Sequence, residues 1–212
     1  MKKIFMILLI FSISILYGDT LFQQAARASQ NGQFSKAYTL MREAARKGDI
    51  HAQVNVGLMY EYGQGVKKDL LKAKYWYEKA SEAGDPKAAY NLGLLYENGS
   101  AGEQNITKAL MLFQQAAQQH NVNAQYHLGV LFSESKYIPP DLSRAAYWYK
   151  AAADNGLSEA QFRFGSMLVN GQGVKLNKIA GFGYLMKAAR QSHLQAQKSL
   201  DILCRQSPWA CK

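Results

Sequence analysis

The string GQGVK occurs twice, at residues 63–67 and 171–175. Two glycines one residue apart with a lysine behind them are residue types that can wrap a phosphate. Glycine lets main-chain N–H groups approach the anion, and lysine adds charge. A phosphate loop also needs a strand before it and a third glycine or a GK[ST] ending. Neither is present. Between the two copies, the equivalent stretches read NGSAGEQN (98–105) and ESKYIPPD (134–141), with the glycine–lysine pattern lost. The spacing therefore predicts turns between helices, where Gly63, Gly65, Gly171 and Gly173 permit a tight reversal and Val66 and Val174 tuck beneath it.

Other reactive residues assemble no better. Ser133 and Lys136 form one S-x-x-K, the pattern of an acyl-transfer nucleophile beside a lysine, but no S-D-N or K-T-G element accompanies it. His51, His120, His127 and His193 make neither HExxH nor any i, i+4 pair. They are read as mostly surface or loop residues, with no metal and no cofactor. Cys204 and Cys211 lack the CxxC spacing of redox or metal sites. In an exported chain they read as a disulfide stapling the C-terminus. Its loop of about eight residues gives roughly 2–2.5 kcal/mol by chain entropy.

Export is the expectation from residues 1–18. Lys2 and Lys3 precede an almost wholly apolar run, Ile4 to Leu16, and Gly18 is small enough for cleavage before Asp19. The run is shorter than the roughly 20 residues of a membrane span, and no second apolar run of that length follows. The expected mature chain is periplasmic or secreted, without stable membrane insertion. The whole sequence carries 25 Lys and Arg against 15 Asp and Glu, or +10; loss of Lys2 and Lys3 leaves 23 against 15, or +8. Scattered basic residues on an exported chain argue against nucleic acid as the partner.

The elements that would position any site repeat every 36 residues. Ala52, Ala88, Ala124, Ala160 and Ala196 keep that spacing, as do Gly57, Gly93, Gly129 and Gly165. So do Trp76-Tyr77, Leu112-Phe113, Trp148-Tyr149 and Tyr184-Leu185. Units are set at 52–87, 88–123, 124–159 and 160–195. They follow a degenerate cap at 19–51 and precede a C-terminal capping helix with the disulfide at 196–212. Each unit reads as two helices, A over about 52–62 and B over about 69–83. Ala73, Trp76, Tyr77 and Ala80 form the apolar stripe of B. Asp69, Asn105, Asp141 and Asn177 stand where B would be capped. The fold class is all-α, an α/α solenoid of 36-residue helix-turn-helix repeats.

The pattern A-x-x-x-x-G-x-x-Y-x-x-G-x-G-V-x-x-D, then A-x-x-W-Y-x-x-A, resembles the Sel-1-like repeat family, relatives of tetratricopeptide repeats. The resemblance implies a right-handed superhelix whose A helices line a concave groove. It also implies a non-catalytic adaptor or scaffold that binds a protein partner. Some exported members act as periplasmic immunity proteins against delivered toxins, which is the first alternative. Some cysteine-rich members are described as penicillin-binding or β-lactamase-like, which is the second. Those carry paired cysteines in each unit, where this chain has Ser81 and Ala89.

On a helical wheel, the groove face of the A helices would carry Val54, Leu58 and Glu61, then Tyr90, Leu94 and Glu97. The third unit would add Tyr126, His127, Val130 and Glu134, and the fourth Phe162 and Arg163. Aromatic anchors with a polar rim suit a protein interface. The same rings would equally serve to pack adjacent A helices, and both readings stand at this point.

Overall fold

The computed structural model describes residues 20–206, so the leader expected at 1–18 and Cys211 of the expected disulfide fall outside the described residues. Among these there are eleven α-helices. Leu21–Gln30 (α1) and Phe34–Arg46 (α2) form the degenerate N-terminal pair. Four A/B pairs follow: Ile50–Tyr62 (α3) with Leu70–Glu82 (α4), Pro86–Asn98 (α5) with Ile106–Gln118 (α6), Val122–Glu134 (α7) with Leu142–Asp154 (α8), and Ser158–Asn170 (α9) with Lys178–Arg190 (α10). Leu194–Gln206 (α11) ends the series. Two 13-residue helices joined by seven residues and followed by three more account for the period of 36.

Side-chain caps set the helix starts. Asp69, Asn105, Asp141 and Asn177 each accept the N–H three residues on, at 2.8–3.0 Å, as the spacing predicts. The A helices begin two residues earlier than the alanine register suggests. In the first three, Asp49, Asp85 and Asn121 are themselves N-caps, accepting from the N–H groups of Ala52, Ala88 and Ala124, whereas α9 starts at the same register behind Leu157 without a side-chain cap.

Two compact units make up the chain. One runs to Ala88 and includes Ser100–Glu103; the other comprises Ala89–Gly99 and the chain from Gln104. In the first, α3 packs against both α2 and α4. Ala52, Val56, Ala73, Tyr77 and Ala80 form its centre, each fully buried. In the second, Ala124, Leu128, Tyr149, Ala160 and Leu185 hold the equivalent places. The recurrent glycine of helix A lies directly against the recurrent ring of helix B. Gly57 lies against Tyr77, Gly93 against Phe113 and Gly129 against Tyr149.

The GQG turns are architecture. Gly63 and Gly171 close α3 and α9 in the left-handed conformation, at φ 73° and 66°. Gly65 and Gly173, also at positive φ, press onto the carbonyls of Phe34 and Leu142, at the start of the preceding B-type helix in each unit. In every unit the turn closes on the same main-chain hydrogen bond, Asp69 to Tyr60, Asn105 to Tyr96, Asp141 to Phe132 and Asn177 to Leu168, at 2.7–2.9 Å. The Pro139-Pro140 loop keeps this closure although Ser135, the residue after α7, is in an extended conformation.

A further brace is visible only in the structure. Gln53, Gln125 and Gln161 are buried, and each donates its amide to the carbonyl eight residues upstream, on Ala45, Ala117 or Ala153. Each thus adds a second hydrogen bond to a last-turn carbonyl of the preceding B-type helix, which also accepts the N–H of Gly48, His120 or Gly156. The amide oxygens of Gln125 and Gln161 accept in turn from Asn155 and Gln191, at the C-caps of α8 and α10. At the matching C-cap of α4 stands Ala83, and the Oε1 of Gln53 is buried without a partner. An unsatisfied buried acceptor costs about 1–3 kcal/mol. Ala83→Asn is therefore expected to raise stability by about 1 kcal/mol in urea unfolding. The same substitution beside Gln53→Leu, which has no amide oxygen to satisfy, is expected to lose that gain.

Candidate functional site on the A helices

The groove positions divide between the two units. In the first, Val54 is 5% exposed and unavailable to a partner, which corrects the expectation that it lines the groove. Helix α3 is apolar on nearly all sides because it is packed by α2 and α4, so its wheel has no free apolar face. Leu58 is half-buried. Glu61 accepts a hydrogen bond from the Tyr77 hydroxyl at 2.6 Å, across its own helical hairpin.

In the second unit the equivalent of Tyr77 is Phe113, which has no hydroxyl. Glu97, the equivalent of Glu61, turns instead to Nε2 of His127, 2.7 Å away on the next A helix. Tyr90 packs its ring against Phe113 and edge-on to His127. One repeat further, Tyr126 lies against Tyr149, whose hydroxyl meets Ser133 at 3.0 Å. Arg163 bridges Glu134 at 2.6 Å and Glu159 at 3.0 Å. Glu159 also holds Nε2 of His193, which stacks on Phe162. Nδ1 of His193 accepts the N–H of Ala196, so Nε2 carries the proton given to Glu159.

The rings thus serve packing and surface together. Tyr90, Leu94, Tyr126, Val130 and Phe162 are all half-buried, and Phe162 also touches the core around Leu185. His127 and His193 are inter-repeat links rather than loose surface groups; His51 and His120 are exposed as expected. Ser133 and Lys136 do not form a nucleophile pair. Helix α7 ends at Glu134, leaving Lys136 beyond it with its ammonium 5.0 Å from the Tyr137 ring centre. The Ser133 hydroxyl is engaged by the Gly129 carbonyl and by Tyr149. Among the described residues, no helix is long and apolar enough to cross a membrane.

Several positions carry electrostatic consequences. Burial opposes ionisation of Glu159, but hydrogen bonds from His193 and Arg163 outweigh it and hold the carboxyl below its usual range. Burial pushes the Tyr149 phenol up to about 12; at Tyr184, burial and then the bond to Asp154 do the same. A phenol whose folded pKa exceeds its ordinary 10 stabilises the fold fully below pH 10 and loses that contribution as pH climbs through 12. Ultraviolet titration is expected to show tyrosines ionising near pH 12, ahead of or together with alkaline unfolding. Tyr149→Phe and Tyr184→Phe should each remove one of them.

One exposed feature escaped the sequence reading. Tyr75, Met111 and Tyr147 share the period on the B helices and are 50%, 64% and 65% exposed. The signal was in the register, on the side of helix B opposite its alanines.

These repeats match the Sel1 repeat over residues 28–49, 50–85, 86–121, 122–157 and 158–193. The chain belongs to the Sel1 repeat family. It is similar to a Sel1 repeat protein from Oxalobacter formigenes of known crystal structure, with 34% identity and a TM-score of 0.76. That match covers 80% of this chain and 49% of the other, so the chain spans about half the length of that relative. It is also similar to immunity protein Pa5087 from Pseudomonas aeruginosa, at 22% identity and a TM-score of 0.51, over 77% of this chain and 60% of that one; this likeness concerns the fold. A 66-residue stretch is 36% identical to the ERAD-associated E3 ubiquitin-protein ligase component HRD3 of Candida glabrata, covering 31% of this chain and 7% of that protein. The fold is an all-α Sel1-type solenoid, and such solenoids are generally protein-interaction modules.

Proposed function

We propose that this chain is a non-catalytic interaction module that acts outside the cytoplasm and binds one protein partner on the A-helix face of its second unit. The observation that carries this reading is the run of half-buried Tyr90, Tyr126 and Phe162 edged by paired charges, Glu97–His127 and Glu134–Arg163. Fixed rings with a satisfied polar rim lose little conformational freedom on binding. Export rests on residues 1–18, and a Cys204–Cys211 disulfide would follow from it. Amino-terminal sequencing of the exported protein should begin at Asp19. A toxin as the partner is a narrower form of the same reading and requires no different surface.

Affinity capture tests the surface, with mature 19–212 as bait. Tyr126→Ala with Arg163→Ala perturbs the A-helix face. Met111→Ala with Tyr147→Ala perturbs the exposed B-helix face. Both variants are first checked for retained helicity. Loss of one captured protein in the first variant alone is the expected result. Loss only in the second would place the partner on the B helices and end the groove reading.

A further inference from the structure

The second unit holds an open cavity of about 320 Å³ where α7, α8 and α9 meet. Leu142, Phe162 and Met167 give it apolar walls, and Glu134, Arg163 and Gln172 stand around it. This volume lies at the low end of ligand pockets, roughly 300–1,000 Å³, and suits one long side chain rather than a cofactor. We infer that it receives a lysine or arginine side chain from a basic segment of the protein partner, an inference that rests on the interaction reading above.

The charge pattern decides the sign. Arg163 is the natural candidate for holding an anion, but it is already bound by two carboxylates, Glu134 and Glu159. An incoming carboxylate would meet a group of net charge −1 and would have to break one of these pairs. An incoming cation meets the reverse. Glu134 accepts from Arg163 at Oε1 and is 51% exposed, and a carboxylate accepts at both oxygens. The apolar stem of lysine or arginine can lie on Leu142, Phe162 and Met167 while its head stays wet.

The same sign extends along the face. Glu97, Glu134 and Glu159 lie one on each successive A helix against Arg163 and Lys87, a local balance of three against two, or −1 with the histidines neutral. The chain as a whole is +10. This face therefore attracts what the rest of the molecule repels, which orients a basic segment on approach.

Fluorescence anisotropy on the mature full chain tests this with three labelled peptides of equal length, Gly-Arg, Gly-Glu and Gly-Ser alternations. The Gly-Arg peptide should bind most tightly, and its affinity should fall as salt rises. Glu134→Gln should weaken it about tenfold. Gln172→Arg, which adds a cation at an exposed loop position without touching the core, should weaken it similarly. Glu82→Gln, on the exposed end of α4, should leave it unchanged. Preference for the Gly-Glu peptide, lost on Arg163→Ala, would overturn the inference and leave the groove standing. No binding of any peptide, with the captured partner still lost in the Tyr126→Ala, Arg163→Ala variant, would do the same. No binding, with the partner retained in that variant, would overturn both.

Discussion

Gly173→Ala is expected to unfold the second unit at a temperature well below that of the parent protein, and Gly65→Ala should do the same to the first. Two costs combine at each glycine. Both sit at φ near +70°, where a Cβ costs roughly 1–2 kcal/mol. The new methyl would also run into a main-chain carbonyl, that of Leu142 or Phe34. A carbonyl at a helix start cannot rotate away as a flexible side chain can, and forced overpacking costs about 1–3 kcal/mol more. The total, roughly 2–5 kcal/mol, is a large part of the 5–15 kcal/mol typical of a domain. In a repeat array the loss should stay near its origin. Hydrogen exchange should accordingly show α8 to α10 opening in Gly173→Ala while α2 to α4 remain protected. Gly183→Ala gives the contrast. That glycine is helical and exposed, and a Cβ there meets nothing within 4 Å. It should gain up to about 1 kcal/mol from helix propensity. Equal losses at Gly173 and Gly183 would sink the account of the turn.

The contrast also shows where sequence reasoning worked. The Asp and Asn caps and the reversals at Gly63 and Gly171 were legible because each acts within a dozen residues, through contacts whose geometry depends on residue type, and the 36-residue period because it recurs in four successive units. The buried glutamines were not. Gln53, Gln125 and Gln161 follow the register alanine in plain sight, but a polar residue reads as surface until its partner is known. That partner is a carbonyl in the last turn of the preceding helix. Val54 failed for a related reason, since a wheel shows which residues share a face but not how many neighbours the helix has. The His127–Glu97 and His193–Glu159 links join residues 30 and 34 apart. They depend on local substitutions, Phe113 for tyrosine and His193 for an aspartate-type cap, that break the period.

A second large effect is expected at the glycine that faces the aromatic ring. Gly129→Ala should cost about 1–3 kcal/mol, as overpacking in a rigid core does. An added Cβ would lie 2.5 Å from the Tyr149 ring, and that ring is itself 2% exposed and tied to Ser133. The chain contains its own remedy one repeat later. There Gly165 faces Leu185 rather than a ring, and the nearest side-chain atom to an added Cβ is 3.0 Å away. A leucine can shift its branch where a tethered phenol cannot. Gly129→Ala combined with Tyr149→Leu should therefore be less damaging than the two single losses added together, a favourable coupling of 0.5 kcal/mol or more in a double-mutant cycle. Tyr149→Leu alone should be destabilising, because it leaves a cavity beside the glycine and removes one of the hydrogen bonds of Ser133. Strict additivity would mean that the ring does not constrain residue 129. Coupling would show that this glycine records the size of its neighbour across the hairpin.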